Sequence, residues 1–169
     1  FKGTFNGGTL TGNPVMGRNL TTYTISGLTG NLFGVVNSGN NKTAIQYVTI
    51  SGGTGRLVGG LKSGTVQYCM STAKVTGSAS GLVGQNSGTV NRCYYYNADS
   101  KNTPAVAGSG TVTNCFYLAE TSTFDKKGTA DDTGARTEKE FTGRRVAYEL
   151  GSEMSNKSAF WSADNEGMP

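Results

Sequence analysis

Three cysteines are the first residues to weigh for chemistry: Cys69, Cys93 and Cys115, spaced 24 and 22 residues apart. A structural metal centre needs more ligands than these, and the chain has no histidine and no CxxC pair. The lack of histidine also removes the commonest general base. Ser38, Ser63 and Ser87 each precede a glycine and read as turn residues, not as activated nucleophiles. Paired carboxylates occur only at Asp131/Asp132, Glu138/Glu140 and Asp164/Glu166. A glycosidase or lyase on a repetitive β scaffold needs charged catalytic groups gathered on one face. Asp99 is the only acidic residue among positions 1–119, so an enzyme is not expected. No Gly-rich phosphate loop opens a helix, and neither cofactor nor metal is expected.

Ligand binding has one surface candidate in the sequence. Tyr94-Tyr95-Tyr96 is a run of aromatics, and strand alternation sends at least one of the three outward. An exposed tyrosine beside Arg92 and Asn97 can hold the face of a sugar, which makes Arg92, Tyr94 and Tyr96 the candidate ligand residues. The structural alternative places Tyr95 with Tyr117 in the core and Tyr94 with Phe116 along one side.

These residues sit in a repeat. GNLFGVVNSG from Gly30, GRLVGGLKSGTVQYCM from Gly55, SGLVGQNSGTVNRCYY from Ser80 and AVAGSGTVTNCFY from Ala105 are variants of one unit. Gly34, Gly59, Gly84 and Gly108 fall 25, 25 and 24 residues apart and read as turn glycines. Gly39, Gly64, Gly88 and Gly110 follow at 25, 24 and 22. The expected apolar columns are Leu32/Leu57/Leu82/Val106, Ile25/Ile50/Val75 and Ile45/Val66/Val90/Val112. Val48 stands one repeat before Cys69, so the cysteine position is a small buried apolar one. A column of free buried thiols is therefore expected. A disulfide between neighbouring rungs is the alternative.

Apolar runs of one to three residues, broken by Gly, Ser, Thr and Asn, cannot form a helical stripe. They read as short strands, and a unit of two or three such strands buries its apolar face only by stacking on the next. The fold class expected is all-β: a right-handed parallel β-solenoid of four to five rungs with a small C-terminal helical cap.

Gly81-Leu82-Val83-Gly84 resembles the GLUG motif, as do Leu57 to Gly60 and Leu32 to Gly34. The G-T-V-x-x-C run from Gly88 to Cys93 is similar to that family too. So is the opening Phe1 to Gly7, with Asn6 where aspartate is usual. The resemblance covers residues 1–119. It implies a non-catalytic repeat array of bacterial surface or secreted proteins, among them immunoglobulin-A-cleaving metallopeptidases.

Charge is uneven. Residues 1–119 carry eight basic side chains against Asp99, a net +7, while the remainder carries a net −3. A basic body can attract acidic polysaccharide, but no basic run exists and scattered Lys and Arg also serve solubility. Glycans or other surface proteins are the partners expected; nucleic acid and membrane insertion are not. The chain begins at Phe1 without a signal peptide, and an excised piece of a longer secreted protein is expected.

The organisation expected is a solenoid over 1–119, a polar linker over 120–135 and a capping tail over 136–169. Thr137 to Glu140 forms a capping box, and Gly143 divides the following helical pattern into two short turns. Phe141, Leu150 and Trp161 are the expected lid over the open solenoid end. The leading functional expectation is a stalk, spacer or adhesive surface. A carbohydrate-binding or carbohydrate-active fragment using the Tyr94–Tyr96 corner is the alternative, and lattice binding of the ice type is third. Thr9, Thr11, Thr21, Thr22, Thr24 and Thr49 do not recur as T-x-T on consecutive rungs, which weighs against the third.

Overall fold

A computed structural model describes residues 9–11, 15–16, 23–37, 43–75, 80–100, 106–107, 109–120, 125–126 and 132–151. The chain coils through three parallel sheets, contributing one short strand to each sheet per turn. The first coil supplies β1 (Thr9–Thr11), β2 (Val15–Met16) and β3 (Tyr23–Leu28). β4 (Phe33–Asn37), β5 (Ala44–Gln46) and β6 (Val48–Gly53) follow, then β7 (Val58–Leu61), β8 (Thr65–Gln67) and β9 (Met70–Ser71). Next come β10 (Val83–Asn86), β11 (Thr89–Asn91) and β12 (Tyr94–Tyr95), and a last partial coil of β13 (Thr111–Thr113) and β14 (Phe116–Leu118). The sheets run β1-β4-β7-β10, β2-β5-β8-β11-β13, and β3-β6-β9-β12-β14 continued by β16 (Asp132–Arg136) and β15 (Asp125–Lys126). This is a parallel β-solenoid with a small helical part at its C-terminal end. Its regular body is about three turns, β4 to β12, slightly fewer than the four to five expected.

Register follows the apolar columns where those columns are set by β-branched residues. Ile45, Val66, Val90 and Val112 lie opposite one another on consecutive rungs, inside the β2-to-β13 sheet. One expected column is corrected. Ile50 pairs with Ser71, not with Val75, so this rung spans 21 residues rather than 25. Val75 is buried further along, beside the Tyr95 hydroxyl.

The corner between the second and third sheets is built from non-glycine residues in the left-handed region: Tyr47, Tyr68, Arg92 and Asn114, with φ of 58°, 54°, 50° and 49°. Each costs of order 1–2 kcal/mol of backbone strain. Nothing in the local sequence marks these positions, since glycine is the residue such corners favour. The next residue in each case is Val48, Cys69, Cys93 or Cys115, all buried.

The segment expected as a linker contains strand. β16 lies parallel to β14, with Ala135 opposite Tyr117, and β15 runs antiparallel to β16. Gly134, at φ 151°, and Ala135 fit against the preceding rung, which a polarity pattern does not foretell. Beyond it, α1 (Glu138–Thr142) and α2 (Arg145–Gly151) form with Thr137 as N-cap and Glu140 closing the capping box. Phe141, Val146 and Leu150 pack with Tyr94, Phe116 and Leu118, on the outer side of the third sheet. Trp161 and Phe1 to Gly7 lie outside the described residues.

Candidate functional site

The Tyr94–Tyr96 corner is largely covered. Tyr95 points into the solenoid core, where its hydroxyl donates to the Ala73 carbonyl at 2.8 Å. Tyr94 points the other way and is 1% exposed, its ring 5.8 Å from that of Phe141. Its hydroxyl faces Met70 Sδ at 2.9 Å. Tyr96 is half-buried and meets Phe141 edge-on at 5.1 Å. Burial, and then the Glu138 carboxylate that accepts from its hydroxyl at 3.4 Å, push the Tyr96 phenol above its ordinary pKa. Arg92 is nearly buried at its left-handed corner. Of the three residues expected to hold a sugar, Tyr94 has no face open to stack on, because α1 is docked over it. The structural alternative for Tyr94, Tyr95, Phe116 and Tyr117 is the arrangement found.

The cysteines are buried and free, in one column. Each thiol donates to the carbonyl two residues back: Cys69 to Gln67, Cys93 to Asn91 and Cys115 to Thr113, at 3.2, 3.2 and 3.1 Å. The Cys69 N–H in turn donates to Cys93 Sγ at 3.4 Å. Burial pushes the Cys93 thiol well up, and the neighbouring Cys115 and Cys69 thiols add to the shift. A thiol held neutral in this way is neither a nucleophile nor a soft ligand. Among the described residues no three His, Cys, Asp or Glu side chains gather where a metal ion could sit.

Two outer faces were not singled out by the sequence. On the second sheet, Thr65, Thr89 and Thr111 stack in register on three rungs, and beside them run Gln46, Gln67, Asn91 and Thr113. The second column is bonded along itself, Gln67 to Gln46 at 2.9 Å and Thr113 to Asn91 at 3.0 Å. In the sequence the stronger periodicity of glycines and apolar residues hides this threonine column.

On the first sheet a trough of about 690 Å³ lies over Gly34, Gly59, Gly60 and Gly84, rimmed by Arg56, Lys62, Gln85 and Ser87. These glycines are in strands, not turns. A Cβ at Gly84 would stand 2.5 Å from the Gly59 carbonyl oxygen, and one at Gly59 2.7 Å from that of Gly34. Close rung-on-rung approach is what the GLVG glycine supplies. Arg56 is partly buried and donates from Nε to the Ser80 carbonyl at 2.8 Å. Burial lowers its pKa and the neighbouring Tyr95 opposes that shift, but a guanidinium stays charged.

Among the described residues no helix is long and apolar enough to cross a membrane. No family model, curated protein or solved structure matches the chain.

Proposed function

We propose that the chain is a non-catalytic β-solenoid module of a larger bacterial cell-surface or secreted protein, of the GLUG-repeat kind, serving as a stalk, spacer or adhesive surface. The observation that supports this reading most is the pairing of coils in parallel register with almost no acidic side chains among them. Three sheets built from strands of two to six residues leave long outer faces for display. Within residues 1–119 the only carboxylate, Asp99, is engaged by Lys74 at 3.1 Å. General acid–base chemistry on a polysaccharide needs two such groups in one place. Display and spacing need only a rigid stack that adds length per repeat.

Two measurements test the reading. Antibody raised against the chain should label intact, unpermeabilised cells of the bacterium that encodes it or be recovered from the medium. Labelling that appears only after permeabilisation would refute the surface assignment. Incubation with a panel of neutral and acidic polysaccharides should release no new reducing or unsaturated ends. Release by the purified chain would replace the display reading with an enzymatic one.

A further inference from the structure

The trough on the first sheet has a chemistry of its own, separate from the tyrosine corner. Its rim carries two cations, Arg56 and Lys62, and uncharged polar groups from Asn31, Gln85 and Ser87, with no carboxylate. Glycines in the floor do not by themselves make a site; the one-sided charge is what points to a ligand. The body around it is net +7 over residues 1–119, and its one acidic group is held by Lys74. Lys62 is exposed, and among the described residues its ammonium group has no acidic partner. Arg56 uses Nε on Ser80 and contacts no carboxylate among the described residues.

Arg56 and Lys62 are six residues apart on one coil, on either side of the floor. β7 (Val58–Leu61) lies between them, so a ligand must reach past both ends of one strand to touch both. An extended chain laid across the face can do so. The lining holds no aromatic ring, so it offers no platform for stacked bases. Amide and hydroxyl side chains between two cations suit sugar hydroxyls between acid groups. We infer that this trough binds an extended acidic polysaccharide, with Arg56 and Lys62 taking carboxylate or sulfate groups and Asn31, Gln85 and Ser87 taking hydroxyls. The inference goes beyond the display reading and does not depend on it, because the trough is present wherever the chain resides.

Gly60 allows a clean test. A Cβ there meets nothing nearer than the Gly34 carbonyl oxygen at 3.9 Å, so a side chain can be added without disturbing the rungs. The probe is an oligogalacturonate of about ten units, titrated by calorimetry at low salt into the whole chain. Saturable binding that weakens as salt is raised is expected. Gly60→Gln, which fills the floor, should weaken it at least tenfold, and Lys62→Gln about threefold to tenfold, with unchanged circular dichroism and melting. Maltohexaose and a dT12 oligonucleotide should bind at least tenfold more weakly than oligogalacturonate. No binding of oligogalacturonate, full affinity in both variants, or equal binding of dT12 would each overturn the inference. None of these results would bear on surface labelling or on the absence of chain cleavage, so the two proposals fail separately.

Discussion

At Cys93 the thiol is both packed and hydrogen-bonded, and this changes what a substitution there should do. A column shared with Val48 suggests that valine would be tolerated better than serine. The observed bond from Sγ to the Asn91 carbonyl gives a serine hydroxyl a ready acceptor. Cys93→Ser should therefore cost about 1 kcal/mol, and no more than Cys93→Val, which loses the side-chain bond and leaves the Asn91 carbonyl with the Tyr68 N–H alone. Urea unfolding of the two variants measures this directly; a loss above about 3 kcal/mol for serine alone would show an apolar site. The raised thiol pKa also fixes a pH dependence. The folded state keeps the proton that the unfolded chain releases near pH 8.5. Stability from this group is thus complete below about pH 8 and falls as pH rises, by at most about 1.4 kcal/mol per pH unit. Cys93→Val should flatten that part of the pH–stability curve; an unchanged curve would mean the thiol titrates alike in both states. The column itself was legible in the sequence, because small apolar residues recur at one repeat position. The hydrogen bonds were not, since they depend on a left-handed corner that Tyr68 and Arg92 occupy without any local signal.

Strands and helices differ in how openly the sequence announced them. Thr-Val-x on β8, β11 and β13 alternates cleanly, and its register is as the repeats implied. The third sheet slipped in one place, because Lys74-Val75-Thr76-Gly77 imitates Thr49-Ile50-Ser51-Gly52 while the Val48-to-Cys69 step is shorter. The GLVG glycines were visible, but as turns; their role in strand contact needs the neighbouring rung to be seen. Gly84→Ala should accordingly destabilise the chain by about 1–3 kcal/mol through contact with the Gly59 carbonyl, whereas Gly60→Ala should change little. Melting curves of the two variants decide it, and equal effects would refute the close-contact account. The helices were legible from Thr137 and Glu140, yet their docking was not. Arg136 is wholly buried, with its guanidinium 4.7 Å from the centre of the Phe116 ring, and pairs with Glu149 at 2.9 Å. Glu149 also holds Arg145 at 2.8 Å. Glu149→Leu should take the carboxylate from the buried guanidinium, which keeps the Ala135 carbonyl as an acceptor, and cost about 3 kcal/mol, against about 1 kcal/mol for Thr137→Ala. A reversed order in denaturant unfolding would place the weight on the cap rather than on the ion pair.

Among the described residues the buried apolar side chains form two clusters, one inside the coils and one between the third sheet and the helices. A chain ending at Arg136 should keep its β circular dichroism but expose Tyr94, Phe116 and Leu118, and so self-associate in sedimentation. A monomer of unchanged melting temperature would show that the helices are an appendage. The parallel architecture underlies every reading given above, from the thiol column to the trough. One NOESY spectrum of isotope-labelled protein tests it most directly. Parallel coils give amide contacts between residues one rung apart: Thr65 with Thr89, Thr89 with Thr111, and Ile50 with Ser71. Contacts instead between strands adjacent in sequence, such as β7 with β8 in an antiparallel hairpin, or of Ile50 with Val75, would contradict it.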